Sequence, residues 1–474
     1  MNGFQKREIN TWNKKAERWI KSHLVLAIIA LLLGLLTLKG VVGAIKVGEP
    51  FSVKQIVVSA VSKSLTTDQN GNTNILLLGV GGEGHDGQNL TDTMIIASID
   101  RKKNLVPMLS IPRDIYVEND IVGWGTRINS IYEFILDEHE DHELAMDQLI
   151  KEVENLSDME IHYYAKIDFQ GVTDVIDALG GIEVTVEEDI YDPYYPDDYT
   201  YEFNTFSLSA GTQIMDGDTA LKYARSRYTT SDFDRAKRQH QIIDAFRARA
   251  LSIGFLLNPN KIKNTYYAIS NNFQTDLTLT DMLNLASMAP DFNSDSLISQ
   301  VFHDDASQTG GFLYTPDRED YGGAFVLTPY SENFDELQIF SQLYFYHPEI
   351  LMDQIPIQVV NGTKEEGLAG LTKMQLNRYG FNPVGFGNAV STDQKKSRII
   401  IRNELRDGEF EETDISETLE LLPTFIPGAD IYKTAPEEYN ELNWPTEARI
   451  IVELGEDFLE YYQEYEERFY WGIY

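Results

Sequence analysis

The chain has no cysteine in 474 residues. That absence excludes disulfides, thiolate catalysis and Cys-ligated zinc, and leaves the compartment open. Basic residues are scarce: 39 Lys and Arg stand against 75 Asp and Glu, a net charge of −36. Such a chain is not a general nucleic-acid binder, because phosphate backbones require a broad excess of cations. The eight histidines form no H-E-x-x-H, which disfavours a zinc hydrolase, and no G-x-S-x-G occurs. There is no internal repeat. What remains is 42% hydrophobic and 24% charged, enough for two or three domains with real cores and too apolar for wholesale disorder.

Long apolar runs are also missing, with one exception near the N-terminus. Leu24 to Leu38 carries no charge, and after Lys39 the apolar character resumes to Ile45. With Lys39 snorkelling, residues 23–45 are long enough to span a bilayer. Lys6, Arg7, Lys14, Lys15, Arg18 and Lys21 precede this segment against only Glu8 and Glu17. The positive-inside rule puts residues 1–22 in the cytoplasm and the bulk of the chain outside the cell membrane. The alternative is a cleaved signal peptide with Val42 and Ala44 at the cleavage site, which also exports the bulk.

Residues 46–73 are polar and read as a stalk. Strands are expected at Asn74 to Gly79, Thr93 to Ile99, Leu105 to Ile111, Ile161 to Ile167 and Ile182 to Val186. Helices are expected at Asn129 to Leu136, Glu143 to Leu156, Asp168 to Leu179 (ended by Gly180-Gly181), Asp216 to Arg225 and Asp232 to Ile253. The acidic, Tyr- and Pro-rich stretch Glu187 to Glu202 reads as a surface loop. Alternating strands and helices predict an α/β domain over 74–290, a mixed sheet flanked by helices in three layers. Residues 291–354 are less regular and read as a linker. A smaller α/β domain follows at 355–458, then an acidic, aromatic tail at 459–474.

Gly79-Val80-Gly81-Gly82-Glu83-Gly84 matches G-x-G-x-x-G after a strand. A dinucleotide site needs a helix immediately afterwards; here another strand follows, so the glycines serve a sharp turn or a close approach to a ligand. Chemistry is more concentrated between Lys222 and Arg249, where eight Lys and Arg face three Asp. A local excess of cations in an acidic chain, with Arg225, Arg227, Arg235 and Arg238 at its centre, predicts an anion site, since the guanidinium fork suits phosphate oxygens. Asp232, Arg235 and Gln239 share one helical face. Arg247 and Arg249 read as ordinary ion pairs on a solvated face. A second cluster couples Thr91-Asp92-Thr93 at the entry to one strand with Pro112-Arg113-Asp114 at the exit of the next. Asp is a hard oxygen ligand suited to Mg²⁺, but the spacing alone does not bring the two ends together. Taken singly, Asp92 reads as a turn residue and Arg113 as a surface partner.

In combination these segments resemble the LytR-CpsA-Psr family of cell-envelope phosphotransferases. The segments are NILLLGV (74–80), LTDTMIIASID (90–100), LVPMLSIPRDIYV (105–117), TRINSIYEF (126–134), FQGVTDVIDALGGIEVTV (169–186), GTQIMDGDTALKYARSR (211–227) and DFDRAKRQ (232–239). The tract 355–381 resembles the C-terminal accessory domain often attached to this family. The resemblance implies an enzyme that binds a polyprenyl-pyrophosphate-linked glycopolymer, its lipid in a hydrophobic groove, and transfers the glycopolymer phosphate to a peptidoglycan hydroxyl. It implies that Arg113, Arg225, Arg227, Arg235 and Gln239 hold the pyrophosphate, with Arg127 and Arg238 near it. It further implies that Asp92 ligates Mg²⁺ or Mn²⁺ and that Asp232 orients an arginine or assists the incoming hydroxyl.

Two departures stand out. The family commonly has an acidic metal ligand where this chain has Gly81, leaving Asp86 or Glu83 on the glycine-rich loop as substitutes. Its DFGR is DFDR here, with Asp234 in place of glycine. Two rival readings stay open at this stage: an anchored scaffold or polymer-binding protein without turnover, and a polyprenyl-pyrophosphate hydrolase. A transcriptional regulator is disfavoured, since no helix-turn-helix flanks the span.

Overall fold

The structure, a computed structural model, describes residues 65–226 apart from 86 and 197–202, then 238 and scattered positions from 241 to 296. It further describes 297–402 apart from 332, then 415–439, 448–459 and 461–463. The expected membrane span at 23–45 therefore lies outside the described residues. Among those that are described, no helix is long and apolar enough to cross a membrane. The chain divides into two compact units, one over 1–152 and 160–301, the other over 153–159 and 302–474.

The first unit is built on a six-stranded sheet. Its strands in chain order are β1 (Thr73–Val80), β2 (Thr93–Ile99), β3 (Val106–Ile111), then a hairpin of β4 (Tyr116–Asn119) and β5 (Trp124–Arg127) outside that sheet, followed by helices α1 (Ile131–His139) and α2 (His142–Ser157). β6 (Tyr163–Asp168) and α3 (Phe169–Ala178) come next, then β7 (Ile182–Val186), β8 (Ile190–Pro196), β9 (Phe203–Leu208), β10 (Gly211–Met215) and α4 (Gly217–Arg225). β11 (Phe273–Thr275) and β12 (Leu297–Val301) complete the order β11-β6-β1-β2-β3-β12. The sheet is mixed: β1 pairs β6 and β3 pairs β12 in parallel, and the other neighbours are antiparallel.

The uninterrupted apolar run of β1 follows from burial on both faces, because alternate residues point to opposite sides. Ile75 and Leu77 join a core with Ile95, Ala165 and Ile167 that is closed by Val175 and Ile176 of α3, Leu179 just past its end, and Ala220 and Tyr223 of α4. Leu76 and Leu78 are equally buried and face the other way, toward the side where Tyr132 of α1 lies under Lys166 of β6. The expected sheet flanked by helices is thus observed. Both helix starts are capped as the sequence suggests. Asp168 accepts from the Gly171 N–H at 2.7 Å and Asp216 from the Thr219 N–H at 2.8 Å, each cap worth about 1 kcal/mol. Gly180 and Gly181 end α3 at φ of 80° and 83°, a conformation open to glycine.

One expectation fails in this unit. Glu187 to Glu202 is not a plain loop: β8 pairs antiparallel with β9, with a register shift between Asp192 and Tyr195. The prolines that argued against a strand, Pro193 and Pro196, are tolerated because a two-stranded ribbon leaves one edge of each strand without ladder bonds.

The second unit carries a five-stranded sheet. β13 (Pro356–Asn361) lies between β14 (Asn382–Asn388) at one edge and the central β17 (Ile450–Leu454), with β15 (Arg398–Ile401) and β16 (Asp430–Tyr432) beyond β17. Helices α6 (Leu368–Arg378) and α7 (Ser416–Phe425) belong to it. So does the end of the stretch read as a linker. Residues 302–354 contain helix α5 (Asp335–Tyr346), and Phe312, Phe340 and Phe345 within it are fully buried. Their aromatic core was hidden from periodicity by the Gly-rich turns around it.

Candidate functional site

Strand direction gathers the candidate residues of the first unit at one end of the sheet. β1, β3 and β6 end there and β2 begins there. Because β2 and β3 are antiparallel neighbours, with Met94 opposite Ile111, Asp92 and Arg113 come together without any intervening structure. Arg113 Nη1 lies 3.1 Å from Asp92 Oδ1, and Asn129 Nδ2 donates to the same oxygen at 3.1 Å. The backbone locks this trio. The Thr91 N–H and Oγ1 both donate to the Asn129 carbonyl, and the Asn129 N–H donates to the Arg113 carbonyl. Asp114 bridges two guanidinium groups, Arg113 Nε at 3.5 Å and Arg127 Nη1 at 3.4 Å. The side chains of Arg113 and Arg127 remain 51% and 41% exposed, so both can turn toward an anion. Partial burial works against the charge of Arg113, but Asp92 and Asp114 outweigh it and hold the pKa above its ordinary value.

Arg225 ends α4 at the same edge, on the sheet's other face. Its guanidinium sits 4.7 Å over the Phe169 ring and 5.8 Å from Tyr195, and the His85 ring meets Phe169 edge-on at 5.2 Å. At the backbone level β3 and β6 are three strand spacings apart, about 14 Å. Arg113 and Arg225 thus flank the sheet end rather than touch.

Arg238 does not fit the role assigned to it. It is buried, donating from Nε to the Tyr223 carbonyl at 2.9 Å and from Nη2 to the Ser226 carbonyl at 2.6 Å. It satisfies the open C-terminal carbonyls of α4, and that helix end carries Arg225. Arg249 is not a solvated ion-pair residue either; its Nε donates to the Leu179 carbonyl at 3.0 Å, at the end of α3. Arg227, Asp232, Arg235, Gln239 and Asp86 lie outside the described residues.

Among the described residues no three His, Asp or Glu side chains gather as a metal site. Asp92 spends Oδ1 on Arg113 and Asn129. Mg²⁺ commonly takes one or two carboxylates and completes its shell with water and substrate phosphates, and the donor set at Asp92 is compatible with that pattern. Gly81 is not an empty place awaiting a ligand: a Cβ there would meet His85 Cβ at 2.9 Å. The acidic residue that the family usually carries would have to displace His85.

The sequence reading missed one cluster entirely. Lys166 is buried in β6, donates to Tyr132 Oη at 2.7 Å, and Tyr132 Oη lies 2.9 Å from His142 Nδ1. Burial lowers the Lys166 pKa to about 8 and raises that of Tyr132 to about 12. Its signal was a lysine inside a strand whose alternation puts it on a buried face. Between pH 8 and 10 the unfolded chain holds a proton that folded Lys166 has lost, so this group makes stability rise with pH there. The raised Tyr132 works in the opposite direction only above about pH 10. Thermal melts of wild type and a Lys166→Met variant across pH 7.5 to 10 check this: the variant lacks that rising component.

The model of the LytR_cpsA_psr family matches residues 45–322. The chain belongs to this family. Residues 354–458 match a second model, described as LytR cell envelope-related transcriptional attenuator. The polyisoprenyl-teichoic acid–peptidoglycan teichoic acid transferase TagU of Enterococcus faecalis is 30% identical over 216 residues, covering 45% of this chain and 64% of the relative. The corresponding transferase TagV of Bacillus subtilis is 31% identical over 245 residues, covering 51% and 57%. The chain thus spans less than two thirds of the length of these two relatives. The crystal structure of B. subtilis TagV aligns with 26% identity over 59% of this chain and 99% of that chain, at a TM-score of 0.41.

Proposed function

We propose that the protein is a phosphotransferase that moves a glycopolymer from a polyprenyl-pyrophosphate carrier to a peptidoglycan hydroxyl during cell-wall assembly. The observation that carries this reading is the Asp92–Arg113–Asn129 trio, which places a fixed carboxylate and a half-exposed guanidinium at one sheet end. The relatives named as teichoic acid transferases support it.

In this reading Arg113 and Arg127 take the diphosphate from one face of the sheet end and Arg225 from the other. The acceptor oxygen attacks the phosphorus that bears the glycopolymer. The bond between that phosphorus and the bridging oxygen breaks, and polyprenyl phosphate leaves with the electron pair. The acceptor's proton passes to a carboxylate or to water. Phosphoryl transfer needs mainly alignment and neutralisation of charge on the non-bridging oxygens, which arginines provide. Asp92 would hold Mg²⁺ or Mn²⁺, whose chemistry is to neutralise further phosphate charge. Arg227, Arg235, Gln239 and Asp232 remain part of the proposal as pyrophosphate and acceptor residues, and Asp86 as a further ligand to the ion.

Residues 23–45 anchor the protein in the cell membrane, with 1–22 cytoplasmic and the acidic bulk outside. Membrane lipid is a partner through that helix, and nucleic acid is not one. A reporter fused after Tyr474 should face the exterior; a cytoplasmic reporter would defeat the whole reading. The crowding of Gly81 by His85 favours one alternative, an envelope protein that binds polymer without turnover. Full-length protein incubated with a polyprenyl-pyrophosphate-linked saccharide, peptidoglycan oligomers and Mg²⁺ separates the two. A covalent saccharide–phosphate–peptidoglycan product in the mass spectrum supports transfer, and donor binding without product supports the alternative.

A further inference from the structure

On the α1–α2 side, the same sheet end holds a cleft of about 360 Å³. That volume is at the small end of ligand sites, which run to about 300–1,000 Å³. Its walls combine the carboxamides of Gln88, Asn89 and Gln274, the carboxylates of Glu83 and Asp168, and the Lys166 ammonium. β6 and β11 place Lys166 opposite Gln274 by their register. Gly82 keeps the wall thin: it adopts φ of 88°, and a Cβ there would meet Asp168 Cβ at 2.9 Å.

The lining defines the ligand chemistry. A polyprenyl tail needs an apolar wall, and this one is largely polar. A diphosphate needs an excess of cations, and here two carboxylates face one ammonium. A carboxamide offers donors and an acceptor side by side, which matches neighbouring hydroxyls that each donate and accept. The cleft also opens at the sheet end that carries the arginines. Asn89, whose N–H is held by Glu133 Oε1 at 3.2 Å, is three residues before Asp92. Asp168 directly precedes Phe169, which lies beneath Arg225.

We propose that this cleft is the subsite for a neutral saccharide unit of the acceptor, set beside the phosphate-binding arginines; the proposal rests on the phosphotransferase reading above. No residue on its wall is among those assigned to the pyrophosphate.

The test is a calorimetric titration of the full chain in detergent with the disaccharide-peptide released from peptidoglycan by muramidase. Wild type and Arg113→Ala should bind it alike. Gln274→Leu and Gln88→Ala should each bind about tenfold more weakly, while keeping wild-type affinity for polyprenyl pyrophosphate. Gln88 is exposed on its loop, so the second variant stays informative even where the first perturbs β11. Failure of the wild type to bind the disaccharide-peptide, or equal binding by wild type and Gln88→Ala, overturns the subsite. The product assay reports separately on the parent reading. Transfer with an acceptor dependence unchanged in Gln88→Ala would retain the phosphotransferase and reject the cleft. Binding weakened in Gln88→Ala without any transfer by wild type would do the reverse.

Discussion

Replacing Arg113 by alanine should lower transfer by about a thousandfold while leaving the protein as stable as the wild type. An arginine that neutralises a transferring phosphoryl group is worth about 10³–10⁵ in rate, and each charge-assisted hydrogen bond lost from the bound diphosphate costs roughly 1.5–3 kcal/mol. Stability should hardly change, because the Arg113–Asp92 pair is half-exposed on both sides and such pairs contribute about 0–1 kcal/mol. Arg113→Lys should recover only part of the rate, since an ammonium cannot present the planar fork. Arg238→Ala should show the opposite pattern. Its guanidinium is buried on the Tyr223 and Ser226 carbonyls, and leaving a buried acceptor unpaired costs about 1–3 kcal/mol. The melting temperature should fall first, and transfer should suffer through displacement of Arg225. Arg249→Ala should cost about 1 kcal/mol of stability through its bond to the Leu179 carbonyl, with little effect on transfer. Transfer assays paired with thermal melts decide the matter. Equal loss of rate in Arg113→Ala and Arg249→Ala would mean a diffuse basic surface and not a site.

The contrast between these arginines marks how far the sequence could be read. Composition exposed the basic island because eight cations in a short stretch of an acidic chain stand out. It could not tell a cation that meets a ligand from one that closes a helix end, because both occur beside the same helix terminus. Arg225 and Arg238 differ in where the fold sends them: one over Phe169 at the sheet end, the other inward to the backbone carbonyls of Tyr223 and Ser226. The strands of the first unit were legible from their apolar runs, and two helix starts from Asp168 and Asp216. The meeting of Asp92 with Arg113 was not, because it depends on the antiparallel pairing of β2 with β3, which brings together residues 21 apart in sequence. Asn129, read only as a helix start and as part of a motif, turned out to fix Asp92. The polar cleft was least visible, since its walls come from β1, the following loop, β6 and β11, and no local pattern joins them.

The second unit carries the other large expected effect, and it changes how the unit's contribution should be tested. Arg378 of α6 is completely buried. It donates from Nε to the Gly311 carbonyl at 2.8 Å, pairs through Nη2 with Glu336 Oε2 at 3.2 Å, and lies 4.5 Å over the Phe312 ring. Gly311, Phe312 and Glu336 all precede residue 355, so truncation at 355 cuts through one compact unit and strips the partners from both sides. A point substitution is the cleaner probe. Arg378→Ala leaves Glu336 as an uncompensated, largely buried charge, a loss of about 3–5 kcal/mol. For a unit of this size that corresponds to a drop of roughly 10 °C in its melting temperature. A double change, Arg378→Met with Glu336→Gln, should recover part of the loss, because it removes the stranded charge along with its partner. Differential scanning calorimetry should show the unit's transition shifted in the single variant and partly restored in the double. Transfer, measured below both transitions, should stay close to wild type, because the residues assigned to phosphate binding lie before residue 302. If transfer instead falls in step with the second unit's stability while the first unit's transition is unmoved, the second unit takes part in the reaction.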